Sequence, residues 1–82
     1  MKSNIFLITG GAGFIGSSLI RFLINKTKHK VFNLDKLTYV SNSQSLKSVS
    51  GNSRYQFIQG DICDKKKVSQ IFKNFKPDIV MH

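Results

Sequence analysis

The stretch LITGGAGFIGSSL (residues 7–19) contains four of the six glycines of this 82-residue chain. It begins in a short apolar run, Asn4 to Thr9, which is typical of a buried parallel strand. After the glycines, apolar side chains recur at the spacing of one helix face, at Ile15, Leu19, Phe22 and Leu23. The glycine cluster therefore marks a strand-to-helix turn, where the chain either turns tightly or lets a ligand approach its backbone.

The rest of the sequence repeats this alternation of short strands and helices. Strands are predicted at Val31–Leu34, which Asp35 ends, at Tyr55–Gln59, and from Asp78 to His82. The intervening residues 36–53 are polar, and Leu46 and Val49 indicate one short helical turn within them. A second amphipathic helix follows Asp64, its predicted N-cap, and ends at Lys76-Pro77; its apolar face comprises Val68, Ile71, Phe72 and Phe75.

This order of elements predicts the fold class α/β. Strands that alternate with helices form a parallel sheet with right-handed crossovers. We expect a Rossmann-type doubly wound sheet with about four strands in the order 3-2-1-4. Because the fourth strand runs into the end of the sequence, residues 1–82 are expected to be the first half of a larger nucleotide-binding domain, with any substrate domain absent.

The spacing Gly11-x-Gly13-x-x-Gly16 predicts a dinucleotide site, because it follows a strand and opens a helix. Gly10 and Gly11 permit the sharp turn, Gly13 lets the backbone approach a pyrophosphate, and Gly16 lets the helix pack closely on the sheet. At the start of that helix, the backbone N–H groups of Phe14 and Ile15 have no intrahelical partner and are available to phosphate oxygens.

An acidic residue completes the motif nineteen positions after its last glycine, at Asp35. Its carboxylate can accept hydrogen bonds from both hydroxyls of an adenosine ribose, and it repels a 2′-phosphate. The sequence therefore predicts NAD as the cofactor in preference to NADP. The neighbouring Lys36 weakens this preference, since a cation there could tolerate the phosphate.

The chain is strongly basic, with thirteen Lys and Arg against four Asp, for a formal net charge of +9. Such a field could attract a nucleic acid. The lysines are scattered, however, and no aromatic stacking platform lies between them, so we favour solvated lysines and expect no nucleic-acid partner. The first apolar run is shorter than a signal-peptide core, no run approaches a membrane span, and a single cysteine excludes an internal disulfide. We expect a cytoplasmic protein.

Four segments distributed over the whole chain carry a resemblance to a known family: TGGAGFIG (9–16), DKLTY (35–39), GDICD (60–64) and PDIVMH (77–82). They resemble the opening of the extended short-chain dehydrogenase/reductase family, and DKLTY resembles its sugar-nucleotide dehydratases. The resemblance implies that Phe14 and Ile15 hold the pyrophosphate through their backbone. It implies further that the adenosine ribose is surrounded by Asp35, Lys36, Leu37 and Thr38, and that the adenine is held by Asp61 and Ile62.

The same resemblance implies what a full-length enzyme would do. It would oxidise dTDP-glucose transiently at C4 with NAD+, lose water across C5–C6, and act as a homodimer. The family's catalytic Tyr-x-x-x-Lys pair does not occur here, because Tyr39 and Tyr55 are followed four positions later by Ser43 and Gln59. We therefore predict no catalytic residue and no metal site within these 82 residues.

Three other residues that could carry chemistry receive structural interpretations. Cys63 has no histidine partner nearby and is expected to be a packing residue. His29 is expected at the surface and His82 in a structural role.

The function has several alternatives at this point. We favour an amino-terminal fragment of a sugar-nucleotide dehydratase. The alternatives are a fragment of another nucleotide-sugar epimerase or dehydratase, a stand-alone NAD-binding module without chemistry, and a basic nucleic-acid binder on the same fold.

Overall fold

A computed structural model describes residues 3–10, 14–36, 44 and 46–81. The predicted strands and helices are present, with bounds within a residue or two of those expected from the sequence. They are β1 (Ile5–Thr9), α1 (Phe14–Lys26), β2 (Lys30–Asp35), β3 (Tyr55–Gln59), α2 (Lys65–Phe75) and β4 (Ile79–Met81). His82, expected to end the fourth strand, lies outside the described residues.

The four strands form one parallel sheet in the order β3-β2-β1-β4. In the central pair, β1 and β2 align Ile5 with Lys30 and Thr9 with Leu34. On the other side of β1, Phe6 aligns with Ile79. The predicted fold class and strand order are therefore confirmed.

The core has two layers because successive side chains of a strand point to opposite faces of the sheet. On one face, α1 covers a buried cluster: Phe6, Ile8, Ile20, Leu23, Ile24, Val31, Leu46, Val49 and Tyr55. On the other face, α2 places Ile71 against Leu7, Phe32 and Leu34. There the rings of Phe32 and Phe75 stack with their centroids 4.2 Å apart.

The predicted apolar face of α1 is partly wrong. Ile15 and Phe22 are 82% and 57% exposed, whereas Ser17, Ile20 and Ile24 are buried against the sheet. The buried face is rotated from the predicted one: Leu23 is buried and Leu19 packs against the same cluster, as predicted, but Ser17, Ile20 and Ile24 replace Ile15 and Phe22. Periodicity alone reports the spacing of the apolar residues and does not say which of them meet the sheet.

The predicted helical turn between β2 and β3 is confirmed. The Val49 N–H donates to the Leu46 carbonyl oxygen at 3.1 Å, and both side chains are fully buried on the α1 side of the sheet. A polar segment is thus fixed to the core by two aliphatic side chains one turn apart.

The ends of α2 follow the sequence prediction. Asp64 is the N-cap, and its side chain accepts a hydrogen bond from the Lys67 N–H at 3.2 Å. At the other end, Lys76 adopts the left-handed conformation with φ 49°, and its N–H donates to the Phe72 carbonyl oxygen. Pro77 then prevents the helix from continuing.

One buried polar pair lies on the α1 side of the sheet. The Asn33 side-chain amide donates to the Tyr55 hydroxyl at 3.2 Å. Burial raises the pKa of Tyr55, and the hydrogen bond from Asn33 opposes that shift. This side-chain hydrogen bond links β2 to β3 in addition to the backbone hydrogen bonds between the two strands.

At the amino-terminal edge of the sheet, polar groups hold the start of β1. The Ile5 N–H donates to the Asp78 carboxylate at 2.8 Å, and the Asn4 N–H donates to Nδ1 of His29 at 2.9 Å. His29 lies in the loop before β2 and is half-buried, more covered than the sequence indicated, because its ring accepts a backbone hydrogen bond and packs on Phe6.

Arg54, the residue before β3, contacts the end of α1 and the loop between α1 and β2. Its guanidinium donates to three carbonyl oxygens, those of Ile24 at 2.8 Å, Thr27 at 2.9 Å and His29 at 3.0 Å. The last carbonyls of a helix lack intrahelical partners, and the planar fork of Arg54 satisfies that of Ile24 together with two carbonyls of the loop that follows α1. Within the described ranges, no helix has the length and apolarity needed to cross a membrane.

We predict that Arg54→Met lowers the free energy of unfolding by about 2 kcal/mol, because the carbonyls lose charge-assisted hydrogen bonds while the aliphatic stem is kept. Urea unfolding followed by circular dichroism measures the change. Lys73→Met, which removes a charge from the exposed side of α2, is the control and should change stability by less than about 0.5 kcal/mol. Equal effects of the two substitutions would contradict the role given to Arg54.

Candidate functional site

A cleft of about 450 Å³ lies at the carboxyl-terminal edge of the sheet. Parallel strands all end at the same edge, so the residues that follow β1, β2 and β3 meet there. The cleft is lined by Thr9, Gly10, Leu34, Asp35, Lys36, Gly60, Asp61, Ile62 and Cys63. It is the position at which open α/β sheets bind their ligands.

Backbone hydrogen bonds fix the three strand ends around the cleft. The Gly10 N–H donates to the Leu34 carbonyl oxygen at 3.3 Å, and the Gly60 N–H donates to the Asp35 carbonyl oxygen at 3.0 Å. Gly10 has a φ of 69°, in the left-handed region that side chains other than glycine rarely adopt. The turn after β1 therefore depends on glycine at this position for its conformation.

Gly60 is favoured for a different reason, which is close packing. A Cβ atom at this position would lie 3.1 Å from Leu34 Cδ1 and 3.1 Å from Lys67 Cγ. At Gly60 the wall of the cleft is therefore backbone, and the side chains of Leu34 and Lys67 pack against this backbone. Sequence analysis did not assign Gly60 to the site, although its place at the end of a strand, like that of Gly10, was a usable signal.

Asp61 is a fully exposed carboxylate with a fixed orientation. Its Oδ1 accepts a hydrogen bond from the Cys63 N–H at 2.9 Å. This hydrogen bond lowers the pKa of Asp61, and the positive charge of Lys36 lowers it further. Asp61 therefore presents a negative charge to the cleft down to a lower pH than an ordinary aspartate does.

The structure brings together five of the predicted site residues: Gly10, Asp35, Lys36, Asp61 and Ile62 all line the cleft. Phe14, Ile15 and Gly16 form the first turn of α1, and of these Ile15 and Gly16 are not among the cleft-lining residues. Three further predicted residues, Gly13, Leu37 and Thr38, lie outside the described residues.

Sequence analysis assigned neither Thr9 nor Leu34 to the site, and it misassigned Cys63. The thiol of Cys63 is free and exposed at the cleft, so its predicted packing role is wrong. The turn that follows β3 places it at the surface rather than against the sheet. In the part of the chain that the structure describes, no group of three or more His, Cys, Asp or Glu side chains could hold a metal ion.

The cleft and the start of α1 carry groups of the kinds that can hold a dinucleotide. Asp35 provides a carboxylate at the end of β2, where a ribose can donate its hydroxyls. Ile62 is 42% exposed and offers an apolar surface beside the polar atoms of Asp61. The first N–H groups of α1 are the natural partners of phosphate oxygens.

Known proteins resemble the chain along nearly its whole length. A family model described as GDP-mannose 4,6 dehydratase matches residues 7–82. A dTDP-glucose 4,6-dehydratase of Neisseria gonorrhoeae is 52% identical over 81 residues, which are 99% of this chain and 23% of that protein. The dTDP-glucose 4,6-dehydratase 1 of Escherichia coli K12 is 53% identical over 76 residues, 93% of this chain and 21% of that protein. The chain thus spans less than a quarter of the length of these relatives.

Solved structures of similar proteins have the same fold. The dTDP-glucose 4,6-dehydratase of Bacillus anthracis in complex with NAD superposes with a TM-score of 0.84 at 31% identity, over 94% of this chain and 25% of that chain. The UDP-glucuronic acid 4-epimerase of Bacillus cereus in complex with NAD superposes with a TM-score of 0.74 at 32% identity, over 95% of this chain and 25% of that chain. Both relatives are thus NAD-bound proteins that share this fold.

We predict that Lys36→Met raises the pKa of Asp61 toward the ordinary aspartate value, because a nearby cation favours the charged carboxylate. The pKa should stay below that value while the Cys63 N–H still donates to Asp61. A pH titration of the Asp61 carboxyl carbon by NMR measures the pKa in the wild type and in the variant. A pKa that does not move in the variant would show that Lys36 does not act on Asp61.

Proposed function

Because the chain belongs to the GDP-mannose 4,6-dehydratase family, we propose that residues 1–82 form the amino-terminal NAD-binding part of a sugar-nucleotide 4,6-dehydratase. The observation that supports this most directly is the convergence of Gly10, Asp35 and Asp61 on one cleft at the carboxyl ends of adjacent parallel strands. The adenosine half of a dinucleotide can use all three features. They are a turn that needs glycine, a carboxylate at the end of β2 and a carboxylate after β3.

Each described cleft residue receives a role in this proposal. Asp35 accepts hydrogen bonds from the adenosine ribose hydroxyls, with Lys36 beside it. Asp61 accepts a hydrogen bond from the adenine amino group, and the Ile62 N–H donates to a ring nitrogen while its exposed side chain covers the base. The proposal extends to Leu37 and Thr38 around the ribose.

The pyrophosphate is assigned to the start of α1. The N–H groups of Phe14 and Ile15 precede the first intrahelical hydrogen bonds and lie at the positive end of the helix dipole. Gly13 would let the pyrophosphate approach the backbone, and Gly16 would let the helix remain close to the sheet. This part of the chain thus binds and orients the cofactor.

We propose dTDP-glucose as the substrate of the complete enzyme, because the two relatives described above carry that name at 52% and 53% identity. Held by Asp35, Asp61 and the start of α1, NAD+ would supply the reversible hydride acceptor for transient oxidation at sugar C4, which is the chemistry that loss of water across C5–C6 requires. The substrate-binding and proton-transferring groups, and the contacts of a homodimer, are assigned to residues beyond these 82.

We predict that the protein binds NAD+ and that Asp35→Asn weakens binding about tenfold, because charge-assisted hydrogen bonds to the ribose hydroxyls are lost. Isothermal titration calorimetry measures the affinity. The matched control is Asp78→Asn, which makes the same change at the opposite edge of the sheet and keeps an oxygen acceptor for the Ile5 N–H. No NAD+ binding, or equal weakening by both substitutions, would refute the assignment of the site.

We predict that the polypeptide containing residues 1–82 together with its substrate-binding part dehydrates dTDP-glucose faster than GDP-mannose. Mass spectrometry detects the reaction as loss of one water from the sugar nucleotide. A preference for GDP-mannose would contradict the proposed substrate and leave the NAD site unaffected.

A further inference from the structure

The outward face of α2 gathers positive charge. An open concavity of about 450 Å³ on this helix is lined by three lysines and two neutral hydrogen-bonding side chains, all of them exposed: Lys65, Lys66, Ser69, Gln70 and Lys73, here called the lysine face. At roughly 100° per residue, Lys66 and Lys73 lie about 140–160° around the helix from the buried Ile71. The helical period therefore places these lysines together on the side of α2 that points away from the sheet.

No carboxylate belongs to the lysine face. α2 contains no acidic residue, and the four aspartates of the chain lie elsewhere: two line the cleft, one caps α2 and one holds the start of β1. In the part of the chain that the structure describes, no hydrogen bond or ion pair involves the side chain of Lys65, Lys66 or Lys73. The three ammonium groups are therefore available to an anion from outside the chain.

These lysines do not stabilise the helix that carries them. Lys65 and Lys66 lie in the first turn of α2, at the positive end of the helix dipole, where a cation is unfavourable. Two neighbouring ammonium groups also repel each other. A charged face that opposes the stability of its own helix and has no partner among the described residues favours a binding role over a structural one.

The composition of the lysine face indicates the class of partner. Protein interfaces are depleted of lysine and use aromatic and arginine side chains as anchors, and the lysine face has neither. An anionic membrane binds helices whose apolar side can enter the lipid, whereas the apolar side of α2, with Val68, Ile71 and Phe75, packs on the sheet. A phosphodiester backbone needs no such anchor, because lysine contacts it as a point charge and serine and glutamine side chains donate to its oxygens.

We propose, against the expectation drawn from the sequence, that the lysine face binds the phosphate backbone of a nucleic-acid duplex, as a second activity separate from the dinucleotide cleft. Lys65 and Lys73 are about 12 Å apart along the helix axis. Each strand of a duplex carries one phosphate per about 3.4 Å of its axis, so the face is long enough to meet three phosphates. Contacts to phosphates carry no sequence information, so the binding is independent of sequence. The net charge of +9 attracts the duplex from a distance.

The test measures the affinity of the protein for a fluorescently labelled DNA duplex by anisotropy over a range of salt concentrations. The triple variant Lys65→Gln, Lys66→Gln, Lys73→Gln removes the charges of the lysine face. Loss of three phosphate contacts should reduce the slope of log affinity against log salt by about 2.7, and the affinity at about 0.1 M salt on the order of a hundredfold. Two duplexes of unrelated sequence should give the same result.

A second triple variant separates the lysine face from the net charge of the protein. Lys26→Gln, Lys28→Gln, Lys47→Gln removes the same three charges from exposed residues outside the lysine face. It should keep the wild-type salt slope and lose less than about tenfold in affinity, since charges away from the duplex are screened. The lysine-face variant should also melt at a higher temperature than the wild type, because unfavourable charges leave the first turn of α2. That result would show that its loss of binding is not a loss of folding.

Three results would overturn the inference. The first is that the wild-type protein does not bind the duplex at low salt. The second is an equal loss of affinity in the two triple variants, because binding would then follow net charge alone. The third is tighter binding of phosphatidylserine vesicles or polyglutamate than of the duplex, lost in the lysine-face variant, since the partner would then be a membrane or an acidic protein. The affinity for NAD+ should be the same in the lysine-face variant as in the wild type, because none of its lysines lines the cleft.

Discussion

Parallel pairing of β1 with strands on both sides is the constraint on which the site depends. β1 aligns with β2 over five residue pairs and with β4 over three. Since the strands run in one direction, Thr9, Asp35 and Gln59 all end at the same edge. Backbone hydrogen bonds from Gly10 and Gly60 then join these strand ends to one another. The cleft is therefore held by the same kind of backbone hydrogen bond that pairs the strands.

The opposite edge of the sheet has a supporting role and a different chemistry. There the side chains of Asp78 and His29 accept backbone N–H groups from the start of β1, and Arg54 donates to the carbonyls that end α1. Each of these contacts joins segments that are far apart in sequence. They fix where β1 and β2 begin, and therefore where both strands end at the cleft.

Packing and ligand chemistry are combined at the cleft wall. Gly60 contributes backbone where a Cβ would press tightly on the side chains of Leu34 and Lys67, which pack directly against it. Asp61 follows directly and is held by the turn to Cys63. Two neighbouring residues thus serve different purposes, since one allows close packing and the other presents charge.

The sequence by itself determined the α/β class, the strand order, the Asp64 cap and a dinucleotide motif, because these depend on local periodicity and on residues close together in the chain. It also named five residues that line the cleft, since parallel strands must end at one edge. The tertiary structure alone decided which side chains of α1 pack on the sheet, that Cys63 is exposed, and that Arg54 reaches Ile24, thirty residues earlier. These outcomes depend on contacts between distant segments, which leave no periodic signal in the sequence.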